Sequence, residues 1–206
     1  MTAQRSVRVS DVEFANNKPF VMIAGPCALE SRDLAMRMAE RISTIAQKLN
    51  APFVFKTSFD KANRTSANSK RGVGFAEALG IFREIRGTFG CPIVTDIHEQ
   101  YQCSELSDVV DILQIPAFLS RQTDLVIAAA KTKKALHIKK GQFLAPWDMK
   151  NICTKIESVG NTNILLCERG ACFGYNRLVS DFRSLPIMAQ TGYPVIFDAT
   201  HSVQEP

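Results

Sequence analysis

The segment Phe55 to Ser66, FKTSFDKANRTS, holds the densest set of chemically useful side chains in the chain. Lys56, Ser58, Lys61, Asn63, Arg64 and Thr65 follow one another there without the apolar periodicity of a helix. Arginine offers a planar fork of donors and lysine a compact charge, so these residue types suit a phosphate. A solvated surface loop is the plainer reading, and the segment's place at a strand end favours the phosphate. Lys139 and Lys140 close one apolar run, and Arg169 follows another. Side chains alternate across a strand, so one lysine of that pair faces inward and the other away. Cations at 56, 139 and 169 would then converge on one anion. Ion pairs with Asp96, Glu168 or Asp198 are the competing use, and the two uses are compatible.

Cys27 and His201 stand at two further strand ends, where a thiolate and an imidazole side by side could share a divalent metal. The competing reading of Cys27 is an inert packed thiol. His98 and His137 carry less signal, and His137 reads as a packed or satisfied strand residue. Gly72-Val73-Gly74 reads as the lead into a helix, because no full GxGxxG or Walker pattern makes it a nucleotide cradle. The other five cysteines form no CxxC pair and are expected to be reduced and packed. Trp147, in APWD, is expected to pack at the start of a helix.

The elements that must position these groups follow a regular alternation. Short apolar, β-branched runs occur at 20–24, 52–55, 92–95, 112–115, 135–138, 164–166 and 195–197. Most are continuously apolar, as strands buried on both faces of a parallel sheet are. Amphipathic patterns lie between them. Leu34, Met38, Ile42, Ile45 and Leu49 follow the N-cap Ser31 at helical steps until Asn50 ends the run. Phe75, Leu79, Phe82, Ile85 and Phe89 repeat the pattern up to Gly90, and Asp148 opens a third helix that closes at Gly160. Right-handed crossovers keep such strands parallel, which leaves a doubly wound sheet or a (β/α)8 TIM barrel. Polar or special residues end every strand, and a barrel gathers all those ends around one mouth, so the α/β barrel is favoured.

Ahead of the barrel, Val7 to Phe20 predicts an N-terminal β-hairpin, with Asn16-Asn17 at a turn. Residues 1–206 are read as a single barrel domain. Seven strands do not close an eight-stranded barrel, so the last β/α unit is expected to be missing and the domain C-terminally incomplete.

A content of 46% hydrophobic and 22% charged residues excludes a disordered or fibrous chain. Nowhere do about 18 apolar residues run together, and the amino end lacks the apolar core of a signal, so a cytoplasmic protein without a membrane partner is expected. The net charge of +5 fits anionic small molecules. Because the basic residues gather at strand ends and not on a basic helix, a nucleic-acid partner is not expected.

Taken together, GPCALES (25–31), FKTSFDKANRTS (55–66), TDIHE (95–99), QIPAFLSRQTDL (114–125), KKGQFLAPWD (139–148), ERGACFGYN (168–176), DFRSLPIM (181–188) and DATHSVQ (198–204) resemble the 3-deoxy-D-manno-octulosonate 8-phosphate synthase family. The resemblance runs over essentially the whole chain. It implies condensation of phosphoenolpyruvate with D-arabinose 5-phosphate and release of phosphate, in lipopolysaccharide Kdo biosynthesis, by a barrel assembled as a homotetramer. Implied phosphoenolpyruvate contacts are Lys56, Ser58, Lys61, Gln114, Ala117, Lys139 and Arg169. Implied arabinose 5-phosphate contacts are Asn63, Arg64, Thr65, Asp96 and Arg121, the last reaching the mouth of a neighbouring subunit. Lys61, Asp96, Lys139 and His201 form the implied catalytic set.

Thr65 stands where the family usually has Ser. The loop 61–65 reads KANRT where the related 3-deoxy-D-arabino-heptulosonate 7-phosphate synthases have KPRT, and that relative's activity is the alternative. Cys27 resembles the metal-dependent class, which has Cys where the other class has Asn. With His201 it is thus an implied ligand of a divalent metal of the Zn, Fe, Mn or Co kind. The family's remaining two ligands, a Glu and an Asp, fall beyond Pro206, so the 206 residues are expected to hold a metal weakly and to be inactive. A Schiff base on Lys139, as in class I aldolases, and a non-catalytic sugar-phosphate binder are the other competing readings.

Overall fold

The computed structural model describes residues 3–204; Met1, Thr2, Glu205 and Pro206, the ends of the expected 1–206 domain, lie outside the described residues. The chain begins with an antiparallel hairpin of β1 (Val7–Val9) and β2 (Val12–Phe14), in which Val9 pairs with Val12. Strands and helices then alternate: β3 (Met22–Ala24), α1 (Arg32–Lys48), β4 (Phe53–Lys56), α2 (Phe75–Phe89), β5 (Ile93–Asp96), α3 (Gln100–Ser107) and β6 (Ile112–Ile115). The alternation continues through α4 (Thr123–Lys131), β7 (Ala135–Lys139), α5 (Met149–Glu157) and β8 (Ile164–Glu168). A small antiparallel pair, β9 (Ala171–Cys172) and β10 (Leu178–Val179), precedes α6 (Ser184–Ala189) and β11 (Val195–Phe197).

Seven of these strands form one parallel sheet in the order β11-β8-β7-β6-β5-β4-β3, so each strand pairs with the next main strand along the chain. Cys27 follows one edge strand, β3, and His201 follows the other, β11, yet their side chains meet. The sheet is therefore curled into a TIM-barrel-like fold, as expected, with β3 and β11 facing one another across the opening.

Local chemistry explains where the elements start and stop. The Ser31 hydroxyl accepts from the Leu34 N–H at 3.2 Å and caps α1. Asn50 takes the left-handed conformation just past that helix, and Gly90 does the same past α2. Gly74 stands at the N-terminus of α2, so the glycine pair at 72 and 74 leads into a helix as read.

Burial has two layers. The outer faces of the strands pack against the helices, with Phe55, Ile93, Leu113, Leu136, Ile138 and Leu166 in the shared core. On the inner face, Val7, Val9, Val12 and Phe14 of the hairpin pack against Val54, Val94, Ile112, Ala135 and Leu165. Those inner residues lie toward the starts of their strands, so the hairpin plugs the end of the barrel opposite the mouth. Burying a Phe14-sized side chain contributes about 1.5–3 kcal/mol.

Some expectations are corrected. The hairpin turns at Ser10-Asp11, with Ser10 at φ 53°, and not at Asn16-Asn17. Asn16 instead reaches across the barrel floor: its Nδ2 donates to the Tyr193 carbonyl at 2.9 Å and its Oδ1 accepts from the Val195 N–H at 2.9 Å. The first strand of the main sheet starts at Met22, leaving Phe20 exposed. Trp147 is 66% exposed, because the 3-10 turn 146–148 before α5 aims it outward. All six cysteines are free thiols, but Cys172, on the short β9, is exposed and not packed. Among the described residues no helix is long and apolar enough to cross a membrane.

Candidate active site

The ends of β3 and β4 are zipped together by main-chain bonds. Leu29 N–H donates to the Ser58 carbonyl at 2.8 Å, and Ser58 N–H donates to the Cys27 carbonyl at 3.4 Å. Gly25 permits this approach, since a Cβ there would sit 2.0 Å from the Lys56 carbonyl oxygen. The zipper sets Cys27 beside a lysine pair: Lys56 Nζ and Lys61 Nζ both donate to Ser58 Oγ, at 3.2 and 2.8 Å. Burial lowers the Lys56 ammonium to about 8; the charge of Asp96 opposes that fall, while Lys61 and Lys139 add to it. Two cations on one hydroxyl form a site short of negative charge.

Across the opening, Asp198 organises the other edge. Its carboxylate pairs with Lys139 Nζ at 2.6 Å and with His201 Nδ1 at 2.9 Å. Burial alone would raise the Asp198 carboxyl, but the bond from His201 and the charge of Lys139 outweigh it and hold it well below the usual range. The same bond to Asp198 raises His201, with Cys27 adding to it. His201 Nε2 points the opposite way and lies 3.6 Å from Cys27 Sγ. The bond to His201 lowers the Cys27 thiol to about 6 against the opposing effect of burial, with the charge of Lys61 helping.

Thiolate and imidazole suit a divalent metal. Two tetrahedral zinc ligands with bonds of about 2.3 Å to sulfur and about 2.1 Å to nitrogen stand about 3.6 Å apart, which is the spacing of this pair. A carboxylate on the far ring nitrogen is the usual support for a metal-bound histidine. The donor set therefore fits two ligands of such a site. Among the described residues no cluster of three or more His, Cys, Asp and Glu side chains completes it.

Asp96, Gln114 and Ala117 are buried at the ends of β5 and β6. His98 Nε2 bonds Asp96 Oδ2 at 3.2 Å. Burial pushes the Asp96 carboxyl up, but that bond and the charge of Lys56 prevail and hold it at about 2. Lys139 and Lys140 diverge as alternation requires: Lys140 turns behind the sheet, donates to the Leu144 carbonyl at 3.2 Å and stands 3.6 Å from Glu168 Oε1. That same oxygen accepts from the Arg169 and Gly170 N–H groups at 3.0 and 2.7 Å, fixing the turn that presents Arg169. Arg169 is buried, donates through Nη2 to Gln204 at 3.1 Å, and leaves Nε and Nη1 without hydrogen-bond partners among the described residues. Burial lowers its guanidinium.

A cavity of about 750 Å³ runs between the edges β3 and β11 and is lined on its polar side by Cys27, Lys56, Gln114, His137, Lys139 and His201. The structure thus gathers these residues, with Ser58, Lys61 and Asp96 bonded or buried beside them. Asn63, Arg64 and Thr65 are not drawn in; they lie exposed on the loop after β4. Arg121 is also exposed and lines a separate cavity of about 490 Å³ with His98 and Gln122. The sequence offers Glu168 and Asp198 only as ion-pair partners, and the structure has them set the direction of Arg169, Lys139 and His201. His98 carries less signal in the sequence, yet it stands two residues beyond Asp96 and bonds its carboxylate. Gln204, the partner of Arg169, has no signal in the sequence.

Comparison with known proteins follows the same lines. Residues 3–206 match the model of the DAHP synthetase I family. The chain is 60% identical over 200 residues to a 2-dehydro-3-deoxyphosphooctonate aldolase of Bartonella henselae, covering 97% of this chain and 72% of that protein. A protein of the same name from Rickettsia felis is 57% identical over 203 residues, 98% of this chain and 74% of the relative. Another, from Brucella anthropi, is 57% identical over 205 residues, 100% of this chain and 74% of the relative.

Proposed function

The chain belongs to the DAHP synthetase I family, and from that premise we propose that it condenses phosphoenolpyruvate with D-arabinose 5-phosphate and water. The products are 3-deoxy-D-manno-octulosonate 8-phosphate and inorganic phosphate. The relatives are named for a phosphorylated 2-dehydro-3-deoxyoctonate, the eight-carbon 2-keto acid that this condensation makes. A seven-carbon product, from a four-carbon aldose phosphate, is not favoured.

The carrying observation is the pair of ammonium groups on Ser58 Oγ, one of which, Lys56, lines the same cavity as Lys139. In the reaction, C3 of phosphoenolpyruvate forms a bond to the aldehyde carbon of the open-chain sugar. Water's oxygen bonds to C2 and becomes the ketone oxygen, its two protons end on the former aldehyde oxygen and on the departing phosphate, and the C2–O bond to phosphate breaks. Two phosphorylated substrates repel one another, and Lys56, Lys61, Lys139 and Arg169 offset that repulsion while holding the reacting carbons close. Asn63, Arg64 and Thr65 take the sugar's phosphate end, with Asp96 at its hydroxyls. Arg121 serves the mouth of a neighbouring copy in a homotetramer, and Ala117 lies against the three-carbon substrate. Cys27 and His201 hold a divalent metal of the Zn, Fe, Mn or Co kind, which supplies Lewis acidity when bound. We place the reaction in the cytoplasm, where charged sugar phosphates are retained.

Phosphate release is the test, run with phosphoenolpyruvate and either the five-carbon or the four-carbon aldose phosphate, beside calorimetry of phosphoenolpyruvate binding. Release that requires the five-carbon sugar supports the proposal. Release with only the four-carbon sugar assigns the heptulosonate reaction, and binding without release assigns a non-catalytic binder. A chain that neither binds nor turns over overturns the reading. Borohydride trapping of a covalent adduct would replace the mechanism with a Schiff base on lysine.

A further inference from the structure

Three adjacent strands set three polar side chains at one level of the barrel interior. Asp96 of β5 pairs in register with Gln114 of β6, and Gln114 pairs with His137 of β7. All three face inward, because the residue two positions earlier in each strand, Val94, Ile112 or Ala135, packs on the hairpin inside the barrel. Neighbouring strands lie about 4.8 Å apart, so the three side chains form a close lateral row.

Each member of the row is more than nine-tenths buried: 6% exposed for Asp96, 3% for Gln114 and 4% for His137. Each also carries an unanswered polar atom. Asp96 Oδ1, Gln114 Oε1 and both ring nitrogens of His137 have no hydrogen-bond partner among the described residues. Gln114 and His137 line the large cavity. Leaving so many polar atoms unpaired in a protein interior is costly, and a bound molecule that pairs them removes the cost.

The chemistry of the set selects that molecule. Burial, with Lys139 and Lys56 nearby, lowers His137 to about 3, so the imidazole is neutral and offers one N–H donor and one acceptor nitrogen. The two oxygens both require donors. A carboxylate or phosphate oxygen brings none and a sugar hydroxyl only one, whereas water brings two and accepts as well. A buried water makes about three hydrogen bonds on average, so one water pairs three of these four atoms: the two oxygens and the protonated ring nitrogen of His137.

We infer that the Asp96–Gln114–His137 row seats one ordered water molecule on the floor of the mouth, hydrogen-bonded to all three side chains. His137 is then a positioning residue: its N–H anchors the water, and the water holds Asp96 and Gln114 in place for the substrates above. The positioning half of this inference rests on the proposed synthase reading; the water does not.

The test uses the full chain with labelled histidine, whose three imidazoles are separable by the His137→Asn variant. At neutral pH the His137 ring should show one neutral tautomer, with cross-relaxation to a long-lived buried water. Calorimetry then compares phosphoenolpyruvate binding in the wild type, His137→Leu and His137→Asn. The leucine variant should weaken binding about tenfold, the effect of one lost hydrogen bond, and the asparagine variant, which keeps a donor, should recover most of it. No water signal, or unchanged binding in a folded leucine variant, overturns the inference, as does equal weakening in both variants. If the leucine variant does not fold, the wild-type signal and the asparagine variant decide. A wild type that shows the water yet binds no phosphoenolpyruvate keeps the water site and defeats the synthase reading.

Discussion

Cys27 Sγ stands 3.6 Å from His201 Nε2, although 174 positions separate them along the chain. They meet because each follows an edge strand of a sheet that curls back toward itself. Cobalt added to the protein should therefore give the charge-transfer absorption of a thiolate bound to Co(II). Cys27→Asn should abolish that band and His201→Ala should weaken it. A band that persists in the Cys27→Asn variant would place the metal elsewhere.

Charge at Lys56 is the basis of a second prediction. Its ammonium is lowered from 10.5 to about 8, so above pH 8 the empty site loses positive charge while a phosphate ligand stays fully ionised. Phosphoenolpyruvate affinity should fall as pH rises through about 8. Binding at pH 8.5 should take up protons, because the bound anion restores the ammonium, and calorimetry in two buffers of different ionisation enthalpy reads that uptake. Between pH 8 and 10.5 the unfolded chain binds more protons at this lysine than the folded one, so this group destabilises the fold fully below pH 8 and progressively less above it. Lys56→Met should raise the melting temperature at pH 7 and abolish the proton uptake.

Gly25 carries a third. A methyl group there would overlap the Lys56 carbonyl, so Gly25→Ala must push β3 and β4 apart at their mouth ends. Both Lys56 and Cys27 move with that backbone. We expect a loss of about 1–3 kcal/mol in denaturant unfolding, together with weakened cobalt and phosphoenolpyruvate binding. Equal binding in the folded variant would show that the approach of the two strands is not required.

The Lys140–Glu168 pair, each side chain 2% exposed, carries a fourth. Glu168→Leu leaves a buried ammonium without its counter-ion and two main-chain N–H groups without their acceptor, a loss of about 3–5 kcal/mol. Adding Lys140→Met should restore part of that and not all, since the Arg169 and Gly170 N–H groups stay unpaired. Urea unfolding of both variants measures the difference.

Phe14→Ala, at the far end of the barrel, should cost about 3–5 kcal/mol and leave phosphoenolpyruvate affinity unchanged at temperatures where the chain is folded. Phe14 packs among inner residues near the strand starts, and although it borders the same cavity as Lys56 and Lys139, it makes none of the hydrogen bonds or ion pairs that hold those groups.

Much of this was legible in the sequence where the cause is local. The run Ile112 to Ile115, apolar except for Gln114, reads as a strand buried on both faces, and it is buried throughout. Alternation alone separated Lys139 from Lys140. Asn16-Asn17 misled because a strong turn dipeptide is also a pair of free amides, and Asn16 is used by residues far away in the chain. Trp147 misled because its exposure is set by a three-residue turn, which no periodicity reports. Unpaired atoms such as those of His137 depend on what neighbouring strands fail to supply, and no single segment carries that information.

The two bonds of Asn16 acquire a meaning from the strand they touch. A residue of a parallel strand beside β11, level with Pro194, would donate its N–H to the Tyr193 carbonyl and accept from the Val195 N–H. Asn16 makes that same pair of bonds with its side-chain amide. One side chain thus imitates a peptide unit and closes the first rung of an otherwise open ladder. At that rung the main-chain groups on either side of Pro194 are paired within the described residues. Asn16 therefore ties the segment ahead of β3 to the start of β11 by bonds of main-chain kind.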